Sequence, residues 1–70
     1  MYEIQWGNEG KLPVKDAKTF KALVQSATGI FALGKTDEKG TTVYRLNDEN
    51  LPEDVRGDWE RIADYLTKDK

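Results

Sequence analysis

Tyr2, Ile4 and Trp6 alternate with Glu3 and Gln5, the period-two pattern of a strand with one buried face. Gly7-Asn8-Glu9-Gly10 reads as a turn, and Lys11-Leu12-Pro13-Val14 as a short return strand. Pro13 has no backbone donor, which confines that strand to a sheet edge. From Asp16 the period changes. Ala17, Phe20, Leu23, Val24 and Ala27 share one side of a helix, with Lys15, Lys18, Ala22 and Gln25 opposite. Asp16 is the expected N-cap, and Gly29 stands where a left-handed residue would close the helix.

Residues 30–46 predict a β-hairpin turning at Asp37-Glu38-Lys39-Gly40. That turn sets Thr36 against Thr41, Leu33 against Tyr44 and Phe31 against Leu46, so large apolar pairs meet on one face. Residues 47–50 are a polar connection. Asn50-Leu51-Pro52-Glu53 has the spacing of a capping box. Val55, Trp59, Ile62 and Leu66, with Ala63 beside them, form the stripe of a second helix. Gly57 falls in its first turn at a cost of about 1 kcal/mol relative to Ala, and Lys68 and Lys70 complement its C-terminal dipole.

The fold class expected is α+β in one small domain, residues 1–70, with element order β-α-β-β-α, extended to ββα-ββα if residues 11–14 pair. Two amphipathic helices lie on a three- or four-stranded, mostly antiparallel sheet. The expected core is Ile4, Phe20, Leu23, Val24, Phe31, Leu33, Tyr44, Leu46, Trp59, Ile62 and Leu66.

Composition removes several chemistries. Among 70 residues there is no Cys and no His. Disulfides, thiolate zinc sites, thiol nucleophiles and imidazole bases are therefore excluded. Ser26 is the only serine and has no base near it in sequence. No acidic residue sits inside an apolar run where burial would raise its pKa, so no catalytic residue is expected and the chain is read as a non-enzyme. The longest apolar run, residues 30–33, is far short of the ~20 residues of a membrane span. A soluble, cytoplasmic protein is expected.

Gly29-Ile30-Phe31-Ala32-Leu33-Gly34-Lys35-Thr36 matches the phosphate-loop pattern GxxxxGK[ST]. A phosphate loop needs a strand entering and a helix leaving. Here a helix enters and a hairpin leaves, so no nucleotide and no other cofactor is expected. The acidic stretch Asp48-Glu49-Asn50 with Glu53 and Asp54 fails calcium-loop spacing, since Pro52 and Glu53 fall at the fifth and sixth positions. No metal ligand is assigned, and these acids are expected to cap the second helix.

Net charge is −2, unevenly distributed. Residues 1–35 hold five Lys against three acids, and residues 47–64 hold seven acids against two Arg. Lys15 and Lys18 by the first helix, with Lys35, Lys39 and Arg45 on the hairpin, are the candidate contacts for nucleic-acid phosphates. The acidic stretch permits a nucleic-acid mimic or inhibitor instead. Against both, Arg56–Glu60, Asp64–Lys68 and Asp58–Arg61 have the spacing of ordinary helix-surface pairs.

The hairpin's second face points elsewhere. If Phe31, Leu33, Tyr44 and Leu46 meet the helices, Ile30, Ala32 and Val43 point away, beside Gly34 and near Trp6. An antiparallel strand covered on one face should alternate more cleanly than Ile-Phe-Ala-Leu. The leading expectation is therefore a protein-interaction module, with Ile30, Ala32, Val43 and Trp6 meeting a protein partner or a second copy of the chain. Nucleic-acid binding is the alternative.

Overall fold

The computed structural model describes residues 1–7 and 10–68. In chain order the elements are β1 (Tyr2–Trp6), β2 (Gly10–Val14), α1 (Ala17–Ser26), β3 (Ala32–Asp37), β4 (Gly40–Tyr44), a 3-10 turn (Glu53–Val55) and α2 (Trp59–Thr67). The order is ββαββα. One sheet holds all four strands in the order β2-β1-β3-β4, and every neighbouring pair is antiparallel. Of the first turn, Asn8 and Glu9 lie outside the described residues, as does Lys70.

Ile4, Leu12 and Leu33 share a row across the sheet, and Val14, Tyr2 and Lys35 share another. Side chains of those rows point to one face. Both helices lie on it: Ile4, Val14 and Leu33 join Phe20, Val24, Ile62, Ala63, Leu66 and Leu51 in a single buried cluster. The Tyr2 and Phe20 rings stack 4.8 Å apart, which fixes α1 over β1. The fold is a two-layer α+β domain with the second sheet face bare. No helix among the described residues is long and apolar enough to cross a membrane.

α1 starts where its cap predicts. The Asp16 carboxylate accepts from the Thr19 N–H at 2.9 Å and the Thr19 hydroxyl at 2.7 Å. Those bonds, the hydroxyl's first, hold the Asp16 carboxyl below the usual carboxylate range. The helix ends earlier than expected. Ala27 is already extended, and Gly29, at φ +75°, lies two residues beyond it rather than directly after the cap.

The second helix starts later than expected. Asn50 is not a cap, and the acids of residues 48–54 do not cap α2. The cap is Asp58, whose carboxylate accepts from the N–H groups of Glu60 and Arg61. Gly57 precedes the helix at φ +85°, which an α-helix cannot contain. The connection before it is closed by its own hydrogen bonds. The Asp48 carboxylate accepts from the N–H of Asn50 at 2.9 Å and of Arg45 at 3.2 Å, which hold its carboxyl below the ordinary value. Arg56 donates to Leu51 O and Glu49 O, and Gly57 N–H to Leu46 O. Arg56 therefore does not pair with Glu60. Asp64 pairs with Lys21 of α1 at 2.9 Å instead of Lys68, whereas Arg61–Asp58, at 3.6 Å, forms as expected.

The core differs from expectation at identifiable points. Ile4, Phe20, Val24, Leu33, Ile62 and Leu66 are buried. Leu23, Tyr44, Leu46 and Trp59 are half-buried at its border. Phe31 is 45% exposed. Val14, Leu51 and Ala63 complete the interior.

Candidate interaction surface

The sheet leaves one face without a helix and one edge, β4, without a neighbouring strand, and local backbone geometry sets what both present. The hairpin register is the expected one: Thr36 faces Thr41 and Leu33 faces Tyr44. Asp37 faces Gly40 directly, so the turn is Glu38–Lys39 alone, with Gly40 at φ +123°. A two-residue turn makes Asp37–Gly40 a narrow, hydrogen-bonded pair, and narrow pairs then recur at Lys35–Thr42 and Leu33–Tyr44. The other side of β3 agrees. Thr36 N–H donates to Met1 O, which makes Tyr2–Lys35 a wide pair and turns the Gly34 and Ala32 backbones toward β1.

Thr42 and Tyr44 therefore spend their backbone groups on β3, and Thr41 and Val43 turn theirs outward. Among the described residues no strand pairs with the outer side of β4. Tyr44 at its end reaches the core, while Thr41, Thr42 and Val43 are all exposed. The opposite edge is managed differently. By the same alternation, β2 turns Lys11 and Pro13 outward. Pro13 thus stands where its missing N–H costs the ladder nothing and removes a donor from the edge. β4 (Gly-Thr-Thr-Val-Tyr) carries neither charge nor proline.

On the bare face, Gln5 Nε2 donates to Glu3 Oε1 at 3.2 Å, and the Glu3 chain lies across Gly34. A Cβ at Gly34 would stand 3.3 Å from Glu3 Oε1 and 3.4 Å from Thr42 O, so glycine leaves that crossing open. The Thr36 and Thr41 hydroxyls meet at 2.9 Å. Arg45 lies over the Phe31 ring at 4.8 Å, a cation–π contact. The half-buried Tyr44, on the other face, has its phenol pKa raised by burial.

Of the four expected contact residues, the structure brings only two to this face. Val43 is 40% exposed there. Ala32 is on the same face, opposite Gln5, but is 1% exposed, its methyl group sunk among longer neighbours. Ile30 and Trp6 pack against the core instead. The cause is a bulge. Gln5–Ala32 is a narrow pair, and Phe31 N–H also reaches Gln5 O at 2.7 Å. Two residues of one strand thus oppose one of the other. The extra residue turns Ile30 inward with Leu33 and leaves Phe31 outside, so Phe31 does not pair with Leu46 and replaces Ile30 on the surface. A four-residue apolar run was the available sign of broken alternation. Which residue bulges depends on Gln5 of another strand.

The five candidate phosphate contacts separate. Lys15, Lys35 and Lys39 stand toward the Val14–Tyr2–Lys35 end of the sheet, beside Asp16, Asp37 and Glu38, while Lys18 lies on the outer side of α1. Arg45 is at the other end of β4, over Phe31. The phosphate-loop string does not make a loop: Gly34, Lys35 and Thr36 are strand residues with laddered backbones. Among the described residues no cluster of three or more acidic side chains could hold a metal ion. A shallow depression between the helices, lined by Lys21, Asp54, Arg61, Asp64 and Tyr65, has its Lys21 and Asp64 charges paired. No buried side-chain polar atom among the described residues lacks a partner.

No protein-family model matches the chain, and no curated protein or solved structure is significantly similar to it.

Proposed function

We propose that the chain is a small, non-enzymatic protein-interaction module that takes an extended segment of a protein partner as a fifth strand beside β4. The observation carrying this reading is the outward row of N–H and C=O groups at Thr41 and Val43 on an exposed, uncharged edge. An edge of this kind is a template for another strand. The contrast with β2, where Pro13 and Lys11 occupy the outward positions, supports β4 as the working edge. Val43 and the Phe31–Arg45 pair add apolar and cationic contacts beside it.

The non-enzymatic part rests on the chemistry available. The displaced pKa values belong to a helix cap, a turn and a half-buried tyrosine, each with a structural cause, whereas a reactive site gathers displaced groups in one cleft. A cytoplasmic setting is part of the proposal and suits a chain that uses no cysteine. Nucleic-acid binding is the weaker reading, because Arg45 stands apart from Lys15, Lys35 and Lys39.

Site-specific photo-crosslinking in the cells that make the protein tests this. A photoreactive residue at Thr41 should yield covalent adducts with protein, identified by mass spectrometry, and one at Lys11 on the blocked edge should not. Adducts at both positions, at neither, or only with nucleic acid would contradict the reading.

A further inference from the structure

We propose that the strand β4 receives is β4 of a second copy of this chain, added antiparallel about a two-fold axis through Thr42 to give one eight-stranded sheet. The inference rests on the proposed use of this edge and names its occupant. The outward groups are arranged symmetrically: Thr41 and Val43 flank Thr42, and all three are exposed. With Thr41 opposite Val43 of the second copy, and Val43 opposite its Thr41, both are narrow pairs. All four N–H groups and all four C=O groups then meet a partner, with Thr42 facing its own copy in a wide pair. An axis through Thr41 or Val43 would leave part of the row unused.

The side chains suit the same register. β4 contains no charge, so no like charges meet within the five-residue seam. Lys39 and Arg45 of the copy, the first charges in register, face each other just outside it. On the bare face Val43 stands beside Thr41 of the copy, two β-branched residues favoured in cross-strand pairs. On the helix face Tyr44 falls opposite Gly40 of the copy, where the missing side chain leaves room for the ring. The seam has a defined end, because Arg45 N–H is already taken by the Asp48 carboxylate at 3.2 Å. The β2 edge does not allow the same arrangement. Paired about Leu12, its outward residues are Lys11 and Pro13, and the proline supplies no donor.

A five-residue seam is well under the ~1,000 Å² of a tight interface, so the dimer is expected to depend on concentration. The direct test is sedimentation and amide exchange of the full chain from micromolar to about 1 mM, the weak end of the affinity scale. Wild type should form a dimer on concentration, with exchange slowing at the Thr41 and Val43 amides. Thr42→Lys and Thr42→Glu each place like charges opposite one another at the axis. Alone, each variant should dimerise several-fold more weakly, and an equimolar mixture should recover the dimer. If either variant fails to fold, Val43→Pro replaces it. That substitution removes an outward N–H without touching the ladder and should abolish the dimer.

A wild-type chain that stays monomeric at 1 mM overturns the proposal. So does a dimer indifferent to the charge at residue 42 and to mixing. Should the chain be monomeric while position 41 crosslinks to a different protein, self-pairing fails and the interaction-module reading stands. With neither a dimer nor a crosslink, both fail.

Discussion

Phe20→Ala should destabilise the protein by about 3–5 kcal/mol, the range for removing a buried aromatic ring. Phe20 has no exposed surface and stacks on Tyr2, so its ring joins α1 to β1, one of the two inner strands of the sheet. The loss combines the transfer free energy of the ring with a cavity that two layers of structure cannot close. A chain of this length is stable by only roughly 4–10 kcal/mol. The substitution should therefore shift the urea midpoint downward by about 3–5 M, given a slope near 1 kcal/mol per M for a small domain, and leave much of the protein unfolded in buffer. A midpoint within 0.5 M or so of wild type would mean that α1 does not seat on β1.

Leu51→Ala should cost about 2–4 kcal/mol, a large effect for a residue in neither helix nor strand. Leu51 is 1% exposed and belongs to the buried cluster with Leu33, Ile62 and Leu66. Its carbonyl accepts from Arg56 Nε at 2.9 Å, and its N–H donates to Asp48 O at 3.0 Å. The connection is thus held around the side chain, and cannot collapse into the space left by truncation. Were residues 47–57 an ordinary surface loop, the same substitution would stay within about 0.5 kcal/mol. Urea denaturation separates the two outcomes.

Leu51 also shows what the sequence could and could not convey. Asn50-Leu51-Pro52-Glu53 has the letters of a helix start, and Asp58 seven residues beyond Leu51 has the chemistry of a cap too. Sequence spacing alone does not rank them. The decision is made by Gly57, whose positive φ stops any helix begun at residue 51, and by Arg56, whose guanidinium serves the backbone of the connection rather than Glu60. By contrast, the strand at Tyr2–Trp6, the Asp16 cap and the Leu33–Tyr44 register are local or nearest-neighbour properties. Alternation, a carboxylate three residues before an N–H, and two residues between facing strands suffice to specify them.

The candidate surface was legible only in part, for the same reason. Broken alternation at residues 30–33 marked that strand as unusual, and Val43 as surface-facing. That Phe31 and not Ile30 turns outward follows from its N–H sharing Gln5 O with the pairing of Ala32, a contact between residues 26 positions apart. The openness of the β4 edge is likewise a statement about topology. Gly-Thr-Thr-Val-Tyr reads as a strand in any case, and becomes an edge because the sheet order ends there. Pro13 was legible as an edge residue because its chemistry permits little else.

Everything proposed for this protein depends on Thr41 and Val43 presenting unpaired backbone groups to solvent. Residue-resolved amide hydrogen exchange on the chain at low micromolar concentration measures this directly. The amides of Thr42 and Tyr44, bonded to β3, should exchange slowly, while those of Thr41 and Val43 between them should exchange near the rate of an unstructured peptide. Protection of Thr41 and Val43 comparable to that of Thr42 and Tyr44 in the dilute chain would show the edge already occupied within one molecule, and would contradict the account.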